Sequence, residues 1–319
     1  MRKPRPSPSS SSGSPKTPAR RSGLRIALIA GAATAAVLVG AGFVAYAFRG
    51  PIGTRLAVSY LAGRGVPASI TIERLDPGGF AGSMKLGPAN DPDLTVDRME
   101  IEFEPIPLFQ GGLAAPRIKN LRLVHPRLKG RYDGKKLTFG TLQPMIDEIL
   151  AQPLVQPGPS FRVENGELRL DTYAGQAVLT GEAVVDEGLL RRAVGHLAAT
   201  RLKLNPEVSV ALGGADLDFQ GHGDRLTAQV NAQLDSVSGP TTLGATRIGL
   251  EASLPYGPQG FARLDGPVAG SLTADTASAA GQGMSASRAR LTTRLSGDAS
   301  GPMEDLTLRL NAEGTASAD

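Results

Sequence analysis

Strict alternation of apolar and charged side chains is the feature that most constrains how this chain folds. In residues 98–105, RMEIEFEP, the apolar residues Met99, Ile101 and Phe103 are each followed by a glutamate. An extended strand directs successive side chains to opposite faces, so this segment has one apolar face and one acidic face. Such a strand needs a cover for its apolar face, and the rest of the chain or a ligand has to supply it.

The same period of two recurs from Val66 to the end of the chain. Segments of this kind follow one another at intervals of roughly ten residues, which is typical of a β-sandwich, a barrel or an elongated β-stack. The sequence DPGG at 76–79 predicts a turn between two of them. After residue 200 the segments become more polar. The pattern therefore predicts a mainly β fold.

Two dipeptides predict tight hairpins, because both central positions of a type I′ turn need a positive φ. They are Asp-Gly at 133–134 and Asn-Gly at 165–166. The predicted pairs are Leu128 with Phe139 across the first turn, and Val163 with Leu168 and Phe161 with Leu170 across the second. Both hairpins then put apolar side chains on one face and charged side chains on the other.

Helical spacing occurs in two short segments. Residues 141–153, TLQPMIDEILAQP, place Met145, Ile149 and Leu150 on one side. Residues 52–63 have helical spacing as well, and we assign a short juxtamembrane helix to residues 49–65.

The N-terminal region predicts a membrane anchor. Residues 1–23 are rich in Ser, Pro, Arg and Lys and cannot bury apolar surface, so we expect a disordered tail. Residues 26–48 carry no charge, and 23 apolar and small residues are enough for a spanning helix, which we place at 24–48. The cations precede it, so the N-terminus is expected in the cytoplasm and the body beyond the membrane.

A cleavable signal peptide is the alternative, since AYA at 45–47 fits a cleavage site. The apolar segment is longer than the usual signal core of about 7–15 residues, which favours an uncleaved anchor. Both alternatives place the body outside the cytoplasm.

Composition excludes several classes of function. The chain has no Cys, and therefore no disulfide and no thiolate metal site. Its net charge of +4 comes from seven cations in residues 1–25; the remainder has 27 cations against 30 acids. A mildly acidic body does not indicate a nucleic-acid-binding protein.

No residue constellation indicates catalysis or a cofactor. The three histidines, His125, His196 and His222, are far apart, and no GxSxG or HExxH motif occurs. GRYDGKK at 130–136 lacks the spacing of a phosphate loop, and the alternate glutamates of the opening segment are typical of a solvated strand face. We expect a protein that is not an enzyme.

A run of cations occupies residues 117–136, with Asp133 as its one acid. One interpretation is a solvated outer face that resists aggregation. The other is contact with anionic lipid headgroups. The candidates for headgroup contact are Arg117, Lys119, Arg122, Arg127, Lys129 and Arg131.

Three structures could cover the apolar face of the strands. A helix layer is not expected, because the body has too few helices. A second sheet would give an ordinary sandwich, but aromatic residues make up only 4% of the chain and it has no Trp. The third is a curled sheet whose apolar lining is left open for a ligand such as an acyl chain.

The order of these segments resembles the front end of the AsmA-like proteins, most closely the YdbH and TamB branches. The similar segments are GVPASITIERL, GSMKLG, LTVDRMEIEF, the stretch from GLAAPRIKN to LTFGTL at 112–142, and NGELRL at 165–170. The resemblance is detailed over residues 24–190, whereas the remainder shares only the general pattern of strands and turns.

The resemblance implies an inner-membrane protein with a periplasmic body, in which an elongated, curled antiparallel β-groove carries phospholipid between the inner and outer membranes. It implies no catalytic residue and no cofactor, and it is compatible with a partner protein in the periplasm or the outer membrane. A TamB-like scaffold for outer-membrane protein assembly and a plain membrane-tethered β-sandwich are the alternatives. Stacked strands in a body of this size give a groove on the order of 80–100 Å at most.

We therefore expect an N-terminal β-groove unit at 66–200 and a further strand region at 201–319 of a chain that continues beyond it, a true end at residue 319 being the alternative. Alternation predicts which side chains line the groove. They are Ile70, Ile72, Val96, Ile101, Phe103, Leu121, Leu123, Leu128, Phe139, Val163 and Leu168.

Overall fold

A computed structural model gives the architecture of most of the body. It describes residues 61–76, 78–103, 118–150, 158–203, 205, 207–256, 266–281, 284–298 and 307–318. The predicted tail, the membrane segment and most of the juxtamembrane helix lie outside these residues. Within them, no helix combines the length and the apolar character that a membrane span requires.

The described residues form sixteen strands and one complete α-helix, and residues 61–63 are also helical. The first strands are β1 (Ala68–Asp76), β2 (Gly79–Leu86), β3 (Leu94–Phe103), β4 (Ile118–Tyr132) and β5 (Leu137–Thr138), followed by helix α1 (Gln143–Leu150). Next come β6 (Ser160–Thr172), β7 (Gly175–Asp186), β8 (Leu189–Leu197), β9 (Thr200–Lys203), β10 (Ser209–His222) and β11 (Arg225–Ser238). The last are β12 (Thr241–Leu243), β13 (Thr246–Pro255), β14 (Pro267–Gly281), β15 (Met284–Asp298) and β16 (Thr307–Ala318).

All sixteen strands belong to one curled sheet, which follows the order of the sequence. The path runs β1-β2-β3-β4-β6-β7-β8-β10-β11-β12-β14-β15-β16, with β5, β9 and β13 paired beside it. Neighbouring strands lie about 4.8 Å apart, so the thirteen positions of this path advance about 58 Å. The described sheet is shorter than the length expected from the sequence, because several short strands lie end to end.

The prediction of a wholly antiparallel sheet is wrong at one place. Strand β4 pairs with β6 in parallel, with Leu123 opposite Val163 and Leu128 opposite Leu168. Parallel neighbours need a crossover that returns the chain to the starting edge of the sheet, usually through a helix. Helix α1 lies in this crossover, so the sheet is mixed.

The first predicted hairpin forms with a different register and a longer turn, and the second does not form. Across residues 133–136 the observed pairs are Arg131 with Thr138 and Tyr132 with Leu137, so the turn is longer than two residues. Gly134 has the expected positive φ of 94°. The carboxylate of Asp133 accepts hydrogen bonds from the amides of Lys135 and Lys136, which stabilises the wider turn.

The Asn-Gly dipeptide lies inside the continuous strand β6. Asn165 has a φ of 51°, but the register shift between Val163 and Gly166 shows a β-bulge rather than a chain reversal. A bulge and a type I′ turn both use positive φ, so the dipeptide alone does not distinguish them.

Other local predictions are confirmed. Asp76 pairs with Gly79 across the predicted turn, and β3 buries Met99, Ile101 and Phe103 on one face. The predicted helix forms over Gln143–Leu150 and is preceded by a short 3-10 turn at Gly140–Leu142.

Candidate functional site

The register of the sheet aligns apolar side chains into rows that cross many strands. We call the face that bears Ile101 and Leu123 the inner face, and the opposite one the outer face. One inner row contains Leu128, Leu168, Leu179, Leu197, Ala215, Ala232, Ile248, Ala274 and Leu291. A second contains Gly166, Gly181, Gly195, Leu217, Val230, Leu250, Leu272 and Thr293. A third contains Leu123, Val163, Ala183, Ala193, Phe219, Ala228, Ala252, Gly270 and Leu295.

The outer face carries mostly polar side chains between these rows. One outer row contains Glu182, Val194, Asp218, Gln229, Glu251, Ser271 and Arg294. Because side chains on a strand alternate between faces, the two faces of the same strands differ in polarity along the whole sheet. The inner face is therefore the surface suited to an apolar ligand.

At the N-terminal end of the sheet the inner face is closed. The predicted groove residues Ile70, Val96, Ile101, Phe103, Leu121, Leu123, Leu128 and Phe139 are at most 9% exposed and belong to one hydrophobic cluster. The predicted residues Ile72, Val163 and Leu168 are half-buried and pack against that cluster. We call this part, made of β1–β4 and helix α1, the closed end.

Helix α1 and the residues before β1 provide the cover. Leu142, Met145 and Ile146 belong to the same buried cluster as the inner face of β2–β4, as do Leu61 and Val66. The expectation that helices are too few to cover the strands is wrong at this end, because side chains of helix α1, of the turn before it and of the residues before β1 join the buried cluster.

A single carboxylate holds the start of this cover. Asp93, in the loop between β2 and β3, accepts hydrogen bonds from the amide of Thr141 at 2.8 Å and from its hydroxyl at 2.6 Å. Gly140 has a φ of 57°, and a Cβ there would lie 2.3 Å from the Asp93 carboxylate. The close approach therefore requires glycine at this position.

Beyond β6 most of the inner face is open. Leu179, Leu217 and Leu250 are half-buried although they lie in the middle of long strands, whereas Leu226 and Ala228 of β11 are buried. Leu272 and Leu295 are 36% and 39% exposed. In the described part of the chain, no helix or second sheet packs over these rows. We call the inner face of β7–β15 the open trough.

A line of irregularities lets the open trough continue toward one edge of the sheet. In β11 the half-buried residues step from Leu234 to Val237, three positions instead of two, and in β14 from Thr276 to Ala279. The register between β10 and β11 shifts here, whereas Val237, Leu243 and Ala279 pair in one row without a shift. This row continues the half-buried side of the strands.

At the opposite edge, Tyr256 follows β13 and reaches back to β8. The amide of Leu190 donates a hydrogen bond of 2.5 Å to its hydroxyl, and Tyr256 is only 6% exposed. On a flat sheet β8 and β13 would lie three strand spacings apart, which is about 14 Å. The direct hydrogen bond between Leu190 and Tyr256 therefore shows that the sheet curls here. Burial raises the pKa of the Tyr256 phenol, opposed by the Leu190 amide.

The predicted headgroup cations lie on β4, and the structure pairs three of them with acids. Arg122 contacts Glu100 at 3.2 Å and Glu164 at 2.9 Å. Arg127 contacts Asp97, and Lys129 contacts Asp91. Lys119 and Arg131 are exposed and form no ion pair with a described residue. Arg117 lies outside the described residues.

The acidic strand face has a structural role. Hydrogen bonds from Arg98 and Arg122 lower the pKa of Glu100, and the bond from Arg122 lowers the pKa of Glu164. Both carboxyls therefore stay charged and join neighbouring strands at neutral pH. Among the described side chains, no group of three or more His, Asp or Glu could hold a metal ion.

Sequence reasoning missed the inner-face residues of the C-terminal strands, from Leu179 to Leu291. The alternation was visible there, but alanine and glycine at many inner positions weakened the signal. It also missed Ile146 on the buried side of α1, although this residue follows Met145 directly.

Comparison with known proteins agrees with the long apolar face. A search of curated proteins finds no match to this chain. The sequence model of one family matches residues 36–319, and its description is "YdbH-like: Intermembrane phospholipid transport protein YdbH". That family transports lipid and is not a family of known enzymes. The match covers most of the chain, so this chain belongs to the YdbH-like intermembrane phospholipid transport family.

Proposed function

We propose that this protein carries phospholipid by binding acyl chains along the open trough. The observation that supports the proposal is the set of aliphatic rows on β7–β15, most of whose residues are half-buried or exposed, with no helix or second sheet over them among the described residues. Large open apolar surfaces on proteins mark sites for ligands, membranes or other proteins.

The chemistry of the trough fits a lipid. Acyl chains need no hydrogen bonds, and the inner rows of the trough consist mainly of Leu, Val, Ile, Ala and Gly side chains. Each buried methylene contributes about 0.8 kcal/mol, so a dozen methylenes in water would cost roughly 10 kcal/mol. A trough open on one side shields the tails while the headgroup stays hydrated, and it lets a lipid move without breaking specific contacts.

The closed end sets where this path starts. Protein side chains already occupy the space above Ile101 and Leu123, so a lipid there would have to displace helix α1. We propose that Val163 and Leu168, at the border of the buried cluster, are the first predicted groove residues that a lipid meets. The fully buried candidates then shape the end of the path.

The anchor and the compartment are part of the proposal. The segment at 24–48, uncharged from residue 26 onward, would hold the chain in the inner membrane with the N-terminus in the cytoplasm and the sheet in the periplasm. The sheet would then be one continuous path through the units proposed at 66–200 and 201–319. A partner in the periplasm or at the outer membrane would receive the lipid.

Photo-crosslinking in living cells tests the path. A crosslinking amino acid at Leu250 should capture phospholipid, whereas one at the adjacent Glu251, on the outer face of the same strand, should not. A third at Leu123 should crosslink only to protein. Equal capture at Leu250 and Glu251 would contradict the trough.

A further inference from the structure

The turn between β4 and β5 presents two unpaired lysines in a fixed position. Oδ1 of Asp133 accepts hydrogen bonds of 2.8 Å from the amides of Lys135 and Lys136, and these bonds lower the pKa of Asp133. Both lysine side chains are exposed and pair with no described acid. The backbone of the turn is therefore rigid while its ammonium groups remain available.

Two tyrosines pack on the same turn. The hydroxyl of Tyr132 donates to the carbonyl of Gly134 at 2.9 Å, and the ring centroids of Tyr132 and Tyr173 lie 6.3 Å apart. A Cβ at Gly134 would lie 3.3 Å from the Tyr173 ring. Tyr173 is 59% exposed, more than any other large apolar side chain in the described residues. An amphipathic ring is thus held in water beside the lysines.

Strand β9 adds two cations next to these turns. The amide of Lys203 donates to the carbonyl of Ala174 at 2.6 Å, and Arg201 and Lys203 are exposed. We call residues 131–136, 171–175 and 200–203 the basic tip. Its cations are Arg131, Lys135, Lys136, Arg201 and Lys203, and its acids are Asp133 and Asp171. The tip therefore carries a net charge of +3 and an exposed tyrosine.

The basic tip lies on the side of the sheet from which the chain enters. Strand β1 begins, and β4 and β6 end, at one edge of the sheet, so the chain enters from the predicted membrane segment on the side of the tip. Strand β6 is also where the cover of the inner face ends.

We propose that the basic tip docks on the surface of an anionic phospholipid bilayer and holds the start of the open trough there. Tyrosine favours the headgroup level of membranes, and clusters of Lys and Arg bind anionic lipid surfaces. The inference rests on the proposed function, because docking matters only if lipid enters the trough. It assigns roles to Lys135, Lys136 and Tyr173, which the alternation pattern did not single out.

The absence of cysteine makes a direct test possible. The full chain carrying Tyr173→Cys, labelled with the environment-sensitive fluorophore NBD, is reconstituted into vesicles of phosphatidylethanolamine and phosphatidylglycerol. The NBD emission should shift to the blue, as it does when the probe leaves water. The shift should be absent in phosphatidylcholine vesicles and lost in high salt, because salt screens charges at an exposed surface.

Two further variants complete the test. Lys135→Gln with Lys136→Gln, both at exposed positions, should abolish the shift at position 173. His222→Cys, at the other edge of the sheet, is the matched probe and should show no shift. An equal shift at position 222, or in phosphatidylcholine vesicles, would overturn the tip as an electrostatic docking site.

A label at Leu250→Cys separates this inference from the function it rests on. A lipid signal at 250 without a shift at 173 would overturn the tip and leave the trough supported. A shift at 173 without a lipid signal at 250 would support the docking surface and count against the trough.

Discussion

The closed end and the open trough share one alternating pattern and one sheet, yet they differ in what lies over the inner face. At the closed end, Ile101 and Leu123 are fully buried in a cluster that includes residues of helix α1. In the open trough, Leu250 and Leu272 occupy equivalent inner positions and remain half-exposed. The difference shows that alternation specifies an apolar face but not its occupant. The cover at one end is protein, and we propose that lipid takes its place along the rest.

The largest expected effect comes from a charge in the trough. Val230→Asp places a carboxylate on the inner face of β11, where desolvating it costs several kcal/mol. A crosslinker at Leu291, farther along the path, should lose nearly all captured phospholipid, while one at Leu179, before the block, should keep it. Asn231→Asp, on the outer face of the same strand, is the control and should change neither. Unchanged capture at Leu291 would show that lipid does not pass β11.

Truncation of one leucine at each end compares the two regions by stability. Leu123→Ala in the closed end leaves a cavity and should cost about 3 kcal/mol, whereas Leu250→Ala in the open trough should cost about 1 kcal/mol. Chemical unfolding followed by circular dichroism measures both. Equal losses would mean that the trough is packed as tightly as the closed end.

Removal of the Asp93 carboxylate should loosen the cover itself. Asp93→Ala deletes both hydrogen bonds to Thr141 and should destabilise the protein by about 1–3 kcal/mol. With the helix less firmly held, a crosslinker at Leu123 should begin to capture lipid in cells. Asp93→Asn, which keeps one acceptor oxygen, should show an intermediate effect. If Asp93→Ala is destabilised but the crosslinker at Leu123 still captures no lipid, the cover does not depend on this contact.

The smallest effect is expected on the outer face of the closed end. Arg122→Gln removes the link between Glu100 and Glu164, and exposed ion pairs of this kind contribute little to stability. Arg122 lowers the pKa of both carboxyls, so its contribution is present above their ordinary pKa near 4.5 and is lost as the pH falls below it. Unfolding measured from pH 7 to pH 3 should therefore show a weaker acid dependence in the variant. If the variant and the parent protein show the same pH dependence of unfolding, these ion pairs do not contribute to stability.

Local patterns predicted local structure well. The alternation in β3, the turn at 76–79 and the helix at 143–150 all follow from neighbouring residues, and all are present. The dipeptides at 133–134 and 165–166 predicted positive φ at Gly134 and Asn165 correctly, but not the structures that contain them. A type I′ turn, a wider turn and a bulge can each contain a residue of positive φ, and only the pairing partners decide between them.

The candidate site was harder to predict than the strands. The sequence favoured the most apolar strands as the groove lining, and these are the strands that the protein covers with its own helix. Strong hydrophobicity in the N-terminal strands therefore accompanies a packed core, and the weaker, alanine-rich strands form the open trough. The matched three-residue steps of β11 and β14 could not be located either, because they become visible only when paired strands are compared.

The sequence by itself determined that the body is a long β-structure with one apolar and one charged face, since that depends on the order of neighbouring side chains. Only the tertiary structure decided that β4 and β6 pair in parallel, that residues of helix α1 help to close one end, and that no helix or second sheet of the described residues packs over most of the remaining inner face. Those features depend on contacts between residues far apart in the chain, and such contacts produce no periodic pattern in the sequence.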